Sequence, residues 1–343
     1  MTEHDEVLSR EVAIAAKLEE NGIALRTKSR AVAALDRLIG SLFDMPAAFF
    51  EGVSQKKRLR DRIDERLKNA QTRIAEIQIE GMPELGAVLI DDVLKERARK
   101  QINAAGVAVE AIEVMKTLPP PETSQANETT EAPRDNLDED WMNQFVRYAE
   151  DASSEQLQQA WGRVLAEEIH KPGSFSRHTL RFIAELDKET AENCMLVGRH
   201  VIGGWLLKSD KWNKGHEYLV SVDLQRLGII EGVGMGGPNQ NFIIDANGNA
   251  AIAGESWGLL LRGTPGTKLS VSVFVLTRMG QQVMSLLKVA DEPHNLREIA
   301  DVVDKSGLEQ IDLGQVDLLP GNKVTFKTPM QPIWQGTEEP QTA

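Results

Sequence analysis

Apolar residues recur at helical spacing through the first 118 residues. An alanine-rich run interleaved with Glu and Lys predicts a helix over residues 5–42, since alanine is the strongest helix former. Residues 54–80 carry apolar side chains at heptad spacing, namely Ile63, Leu67, Ala70, Ile74 and Ile77. That spacing is typical both of a coiled coil and of an amphipathic helix packed on a neighbour, and both interpretations stay open.

A second long helix is predicted from Glu84 to Leu118, because Gly81 and Pro83 break the chain before it. Two long helices joined by a short break favour an antiparallel helical hairpin. An arm of this kind is too narrow to bury all of its apolar surface. We therefore expect the arm to associate with a second copy of the chain.

The clearest boundary in the sequence follows this helix. Three prolines at 119–121 end it, and the chain as far as residue 137 is Pro, Glu, Thr, Ser, Asn and Gln with hardly an apolar residue. Such a composition cannot offset the entropy lost on ordering by burying apolar surface. A disordered linker is predicted over 119–137.

More helices are predicted after the linker. The first spans 139–151. The second begins after Ser153, which is the predicted N-cap, with Gln156 as its capping-box partner. The others span 176–186, Asp187 to about Leu207, and 217–228. The helix after Ser153 has one apolar face, which predicts a core helix. That face consists of Leu157, Ala160, Trp161, Val164, Leu165 and Ile169.

After Ile230 the pattern changes to short apolar runs divided by Gly, Asn-Gly and Pro-Gly turns, which indicates strands. Strands are predicted at 241–244, 250–252, 257–262 and 269–276, helices at 278–289 and 296–303, and short alternating stretches at 316–319 and 323–327.

The whole pattern predicts a mainly α protein with a smaller β part, of the α+β class. The predicted domains are a helical arm over 1–118, the linker, a larger domain over 138–290, a small α/β extension over 291–334 and a disordered tail over 335–343.

Composition narrows the function classes. The 343-residue chain has a formal net charge of −13, which disfavours non-specific coating of nucleic acid, since phosphate binding depends on clustered Lys and Arg. There is one local basic cluster, made of Lys56, Lys57, Arg58, Arg60, Arg62 and Arg66. It is either a solvated helix face or a surface for an acidic protein, anionic lipid or nucleic acid.

The cellular location is predicted to be cytoplasmic. A single cysteine, Cys194, fits a reducing compartment, and the acidic N-terminus has no signal-peptide segment. The apolar stretch over 38–50 is too short to span a bilayer, so no transmembrane segment is expected. Scattered histidines without a Cys-x-x-Cys pair predict no metal and no cofactor.

The run from Trp161 to Leu180 resembles a bacterial family of unknown function with the signature W-x-x-(I/V)-L-A-x-E-I-x-x-P-G-x-F-S-x-x-T-L. The positions that carry this signature are Trp161, Leu165, Glu168, Pro172, Gly173, Phe175, Ser176 and Thr179. The resemblance extends over roughly residues 85–290 and implies no activity. Its helical face and Pro-Gly stop indicate structural roles. The Trp161 helix is also loosely similar to abortive-infection (phage-defence) proteins.

A second resemblance lies downstream. The string from Leu224 to Ile230 ends a helix, turns and strands follow, and a string with Thr277 and Gly280 opens the next helix. This order resembles the back half of a winged-helix domain. The would-be recognition helix offers only Arg226 as a cation, whereas helices that read a DNA groove carry several donors. A winged-helix-like module used for protein contact is the favoured interpretation.

Three short motifs give weaker hypotheses. Residues 254–258 match G-x-S-x-G, but a strand pattern follows instead of the helix that a nucleophile elbow needs. Residues 232–237 match G-x-G-x-x-G, again without the helix N-terminus that binds a phosphate. Arg163 and His170 lie seven apart on one helix face, a spacing found in some helical ribonucleases.

The sequence therefore favours a non-enzymatic interaction or scaffold protein, with a role in phage defence or stress response. It would form a homo-oligomer through its N-terminal helices and bind a protein partner. One alternative is a nucleic-acid-binding regulator that uses the winged-helix-like module and the basic helix over 56–73. The other is a helical ribonuclease built on Arg163 and His170.

Overall fold

The computed structural model describes residues 30, 31, 33–35, 37, 38, 84–118, 137–234, 236–287, 292–319 and 323–336, with side chains from residue 92 onward in the first long helix. The predicted helix over 54–80 lies outside the described residues. Most of the predicted helix over 5–42, most of the linker and most of the tail also lie outside them. Helices together with two sheets confirm the predicted α+β class. The chain divides into two compact units, Met1–Ala184 and Glu185–Ala343. The predicted domain boundaries stay predictions.

The first unit is helical. Its helices are α1 (Glu84–Thr117), α2 (Glu139–Asp151), α3 (Glu155–His170) and α4 (Arg177–Glu185). The predicted bounds of α1 and α2 are confirmed. The predicted cap of α3 is wrong by one residue, because the side chain of Ser154, not Ser153, accepts the hydrogen bond from the Leu157 amide at 3.2 Å. Leu157 is also 41% exposed, so it does not belong to the core face.

The core of this unit is built on α1, which packs against α2 and α3. Residues 103–109 of α1 are buried all round, and most of them are Ala, Gly or Val. Small side chains let helices approach closely. A Cβ added at Gly162 of α3 would overlap the Cβ of Glu110 and lie 2.9 Å from the Ala111 backbone nitrogen. Gly162 therefore permits the α1–α3 crossing.

Residues from the N-terminal region also pack into the first unit. Ala31, Ala34, Leu35 and Leu38 share one helical face and are at most 5% exposed. The Arg30 guanidinium donates to the carbonyl of Ile169 at 3.1 Å, near the C-terminus of α3. A cation at this end of a helix interacts favourably with the helix dipole.

The second unit mixes helices and strands. Its elements are α5 (Lys188–Gly198), β1 (Val201–Ile202), β2 (Trp205–Leu207), a 3-10 helix (Asp210–Asn213), α6 (Gly215–Arg226), β3 (Ile230–Glu231), β4 (Asn239–Ile243), β5 (Asn249–Ala253), β6 (Trp257–Gly263), β7 (Lys268–Leu276), α7 (Arg278–Leu287), α8 (Pro293–Val302), β8 (Leu308–Leu319), β9 (Lys323–Phe326) and β10 (Gln331–Gln335).

Two sheets enclose the core of this unit, and every strand pair is antiparallel. The first sheet has the order β1-β2-β7-β3, and β4 also pairs with β7. The second has the order β10-β8-β6-β5, with β9 paired to β8. Apolar side chains of both sheets meet those of α8 in one buried cluster, for example Val271, Leu259 and Ile299.

One predicted helix is wrong in the second unit. The helix capped by Asp187 ends at Gly198, not near Leu207. Gly203 and Gly204 adopt positive φ angles of 56° and 93° and turn the chain into the β1–β2 hairpin. Strands β1, β2, β3 and β10 and the first half of β8 were not predicted, whereas the strands between Asn239 and Leu276 are confirmed. Among the described helices, none is long and apolar enough to cross a membrane.

Candidate functional site

The predicted basic cluster cannot be placed on a surface. Its members, Lys56, Lys57, Arg58, Arg60, Arg62 and Arg66, all lie outside the described residues. Their contact with an acidic partner stays a prediction.

The signature residues come together where α3 turns into α4. Glu168 is 5% exposed, and its carboxylate accepts hydrogen bonds from the backbone amides of Gly173 at 2.6 Å and Phe175 at 2.8 Å. Gly173 adopts a φ of 87°, which glycine reaches without strain. The carboxylate therefore fixes the turn that the Pro-Gly pair begins.

Aromatic residues and a helix cap complete this corner. The indole nitrogen of Trp141 donates to the carbonyl of Phe175 at 2.9 Å. Trp161 and Phe175 are buried, and so is Leu165. The Ser176 hydroxyl accepts from the Thr179 amide at 3.1 Å and caps α4. These contacts support structural roles for the signature residues.

Arg163 and His170 both lie on α3 and are both half-buried. His170 is the last residue of the helix and follows Ile169, whose carbonyl accepts a hydrogen bond from Arg30. Both side chains interact with other residues of the chain. Their arrangement adds nothing to the ribonuclease hypothesis beyond the spacing itself.

The two strings of the downstream resemblance meet in space. The amide of Thr277 donates to the carbonyl of Ile229 at 3.0 Å, and the Thr277 hydroxyl donates to the carbonyl of Gly228. The same hydroxyl accepts from the Gly280 amide at 2.9 Å and so caps α7. A Cβ added at Gly280 would overlap the Ile229 carbonyl oxygen. The two strings therefore hold the end of α6 against the start of α7.

The glycine-rich loop encloses a lysine. The Lys208 ammonium donates to the carbonyls of Gly232 at 3.2 Å and Gly236 at 2.7 Å, and also to that of Gly234. Converging carbonyls carry partial negative charge, so this arrangement suits a cation and repels a phosphate. The G-x-G-x-x-G match is thus the loop that holds Lys208.

Replacing Lys208 by methionine should loosen this loop. A hydrogen bond to a charged group contributes about 1.5–3 kcal/mol, so we expect exchange of the Val233 amide, which donates to the Gln225 side-chain oxygen at 2.8 Å, to accelerate at least about tenfold. Hydrogen exchange followed by mass spectrometry measures this. Lys214→Met, at an exposed lysine, is the control and should leave the loop unchanged. Equal exchange in both variants would contradict the role of Lys208.

The G-x-S-x-G match lies in the turn of a β-hairpin. The amide of Gly254 donates to the carbonyl of Trp257 at 2.9 Å, between β5 and β6. The carbonyl of Ser256 accepts from the Val316 amide at 3.0 Å. A nucleophile elbow joins a strand to a helix, so Ser256 does not occupy one.

Helix α6 presents an apolar surface. Tyr218, Leu219 and Leu227 are 36%, 61% and 42% exposed. Arg226, the one Lys or Arg of the helix, pairs with Asp223 at 3.3 Å. Tyr218 and Leu219 lie next to each other in the helix, whereas Leu227 follows its last residue. We call Tyr218 and Leu219 the α6 surface.

A polar cluster that sequence reasoning missed lies near the start of α6. Nδ1 of His200 is 2.6 Å from the Asn295 amide oxygen, and Lys211 binds both Glu298 oxygens at 3.1 Å. His294 contacts Glu298 at 3.1 Å. Members up to 95 residues apart meet here, so no local spacing could reveal the cluster.

The environment of the cluster changes the acidity of His200. Burial beside Trp212 lowers the pKa of His200 below its ordinary value of 6.5, and nearby Lys211 acts in the same direction, whereas the Asn295 hydrogen bond, Glu298 and Glu292 partly oppose this. His200 is therefore neutral at pH 7. In contrast, burial raises the pKa of the Cys194 thiol to about 12, which makes it an inert core group.

Metal binding finds no support in the part of the chain that the structure describes. No group of three or more His, Cys, Asp or Glu side chains is arranged there to hold a metal ion.

Comparison with known proteins covers part of the chain. Residues 94–199 match the model of a family described as a protein of unknown function (DUF2806). This match includes the signature corner and α5, and it supports the predicted resemblance to a family of unknown function over a shorter range than 85–290. No curated protein and no solved structure matches the chain.

Proposed function

We propose that the chain is a non-enzymatic interaction protein whose α6 surface binds a partner protein. The observation that carries this proposal is the 61% exposure of Leu219 in the middle of α6. Tyr218, the preceding residue, is also exposed, and exposed apolar side chains that adjoin one another are typical of protein contact sites. Tyr218 supports the same conclusion, since tyrosine is enriched in protein interfaces.

The order of elements around α6 supports a winged-helix-like module. β2, the 3-10 helix, α6 and β3 follow one another as in that fold. β7 comes later in the chain, after β4, β5 and β6, and pairs with β2, β3 and β4. The β5–β6 hairpin would then be an insertion in the wing. In this arrangement α6 is the element that would read a DNA groove.

The chemistry of α6 favours protein over nucleic acid. Contacts to phosphates and base edges need several Arg, Lys or amide donors on one face. On α6 the side chain of Arg226 is already paired with Asp223, and Leu219 would have to be exposed to a polar groove. The nucleic-acid alternative therefore rests on the order of elements and on the basic helix predicted over 56–73.

Photo-crosslinking tests the proposal on the full chain. A photoreactive residue replaces Leu219 in the native host cells, and the matched control replaces Leu318, which is 54% exposed on β8. We expect a discrete protease-sensitive adduct from position 219 and none from position 318. Nuclease-sensitive adducts from position 219 would instead establish nucleic-acid binding, and adducts from neither position would refute the α6 surface.

Association of copies through the N-terminal helices belongs to the same proposal. Its support is the heptad spacing over residues 54–80. Light scattering of the full chain at rising concentration measures it, and a strictly monomeric mass would remove this part while leaving the α6 surface untouched. A role in phage defence or stress response rests on the loose sequence likeness only.

A further inference from the structure

The polar cluster connects three separate pieces of the second unit. Asn295 of α8 contacts the α5–β1 turn twice, because its amide nitrogen donates to the Arg199 carbonyl and its amide oxygen faces His200. Glu298 of α8 binds Lys211 of the 3-10 helix. The cluster therefore fastens both the turn and the 3-10 helix to α8.

The orientation of Asn295 determines the tautomer of His200. Since the Asn295 nitrogen already donates to the Arg199 carbonyl, its oxygen must be the atom that faces the imidazole. An amide oxygen only accepts hydrogen bonds. Nδ1 of His200 therefore carries the proton, and a second proton can bind only at Nε2.

Protonation of His200 places a positive charge among groups that oppose it. The Lys211 ammonium lies 3.4 Å from Nδ1, and the buried Trp212 ring lies against the imidazole at 5.6 Å between centroids. Glu298 offsets part of this charge, but its carboxylate is shared between Lys211 and His294. Glu292, at the start of α8, adds a weaker attraction. Arg199, another cation, directly precedes His200 in the chain.

We propose that His200, Asn295, Lys211 and Glu298 form a proton-sensitive clasp that holds the 3-10 helix and the α5–β1 turn on α8 and opens when His200 is protonated. An imidazolium repels Lys211 and so weakens the tie between the 3-10 helix and α8.

The direction of the pH dependence follows from proton binding. When the clasp is open, His200 is solvated and its pKa returns toward 6.5, whereas in the closed clasp its pKa is lower. The open form therefore binds more protons below pH 6.5. Closure is complete above pH 6.5 and is lost as the pH falls from 6.5 through the pKa of the closed form.

The clasp has a consequence for the α6 surface. The 3-10 helix ends at Asn213 and α6 begins at Gly215, so release of the first frees the start of the second. This consequence rests on the proposed function, whereas the clasp itself does not. A clasp that opens without changing crosslinking at Leu219 would leave the clasp established and its link to the α6 surface wrong.

Hydrogen exchange between pH 7.5 and 5.5, corrected for intrinsic exchange rates, tests the clasp on the full chain. The probes are the amides of Trp212 and His200, which donate to the carbonyls of Ser209 and Val197. We expect their protection to fall at least about fivefold on acidification, the factor that corresponds to about 1 kcal/mol. His200→Asn keeps a donor near the Nδ1 position but does not titrate, so its protection should be independent of pH.

Two controls and one further variant decide the outcome. His216→Asn, at an exposed histidine of α6, should retain the wild-type pH dependence. If the dependence instead disappears in His294→Asn and persists in His200→Asn, or if wild-type protection does not change with pH, the proposal is overturned. Should His200→Asn not fold, Lys211→Met replaces it. This variant should raise the pKa of the His200 ring in NMR titration, and an unchanged pKa would likewise overturn the clasp.

Discussion

Replacing Gly162 by alanine is expected to destabilise the first unit by about 2 kcal/mol, although alanine in a helix normally stabilises by about 1 kcal/mol relative to glycine. The added Cβ would overlap the Cβ of Glu110 and press on the Ala111 backbone nitrogen. Backbone atoms in a packed helix pair cannot move aside cheaply. Urea unfolding followed by circular dichroism should show a midpoint lower by about 1 M.

A compensating substitution tests the cause of this loss. Glu110→Gly removes the opposing Cβ and by itself costs about 1 kcal/mol of helix propensity. The double variant Gly162→Ala/Glu110→Gly should lose about 1 kcal/mol less stability than the two single variants lose together. A double-mutant cycle measures this difference. A Gly162→Ala chain that is as stable as the parent would show that α1 and α3 do not approach this closely.

Glu168→Ala is expected to destabilise the first unit by about 2–5 kcal/mol, since each buried donor left without a partner costs about 1–3 kcal/mol. The amides of Gly173 and Phe175 would both lose the carboxylate that they bind. The same turn supplies the carbonyl that Trp141 binds. Urea unfolding followed by both tryptophan fluorescence and circular dichroism measures the loss.

Two further variants separate the hydrogen bonds from the charge and the helix position. Glu168→Gln keeps the shape and one acceptor oxygen, so it should fall between the parent and Glu168→Ala. Glu167→Ala alters the neighbouring half-buried carboxylate, which has an interaction of its own, but it leaves the Gly173 and Phe175 amides paired and should therefore cost less than Glu168→Ala. Equal losses at 167 and 168 would mean that the two backbone hydrogen bonds do not decide the effect.

Both results would bear on how the matched family region is understood. The residues that make the signature recognisable lie at one hydrogen-bonded corner, and Glu168 acts there on backbone amides. A large loss of stability from its replacement would support a structural reason for the signature. The search for function would then shift to surfaces such as α6, outside residues 94–199.

Local chemistry in the sequence predicted much of the secondary structure. Asp187 caps α5 by accepting from the Thr190 amide at 2.7 Å, only three residues away, so the sequence itself specifies that start. The strands from β4 to β7 were predictable because Asn, Gly and Pro mark the turns between them. The sequence also showed that α6 has Arg226 as its one cation, whereas a DNA-reading helix carries several donors.

Tertiary structure decided what depends on distant partners. Residues 205–207 read as the end of a helix, but they form β2 because β7 offers them a strand partner at residues 273–275. Likewise, nothing near Lys208 predicts that carbonyls 24 to 28 residues later will enclose its ammonium. His200 meets Asn295 across 95 residues. A sequence records the preferences of neighbouring residues, whereas partners far apart in the chain become neighbours only when the core is packed.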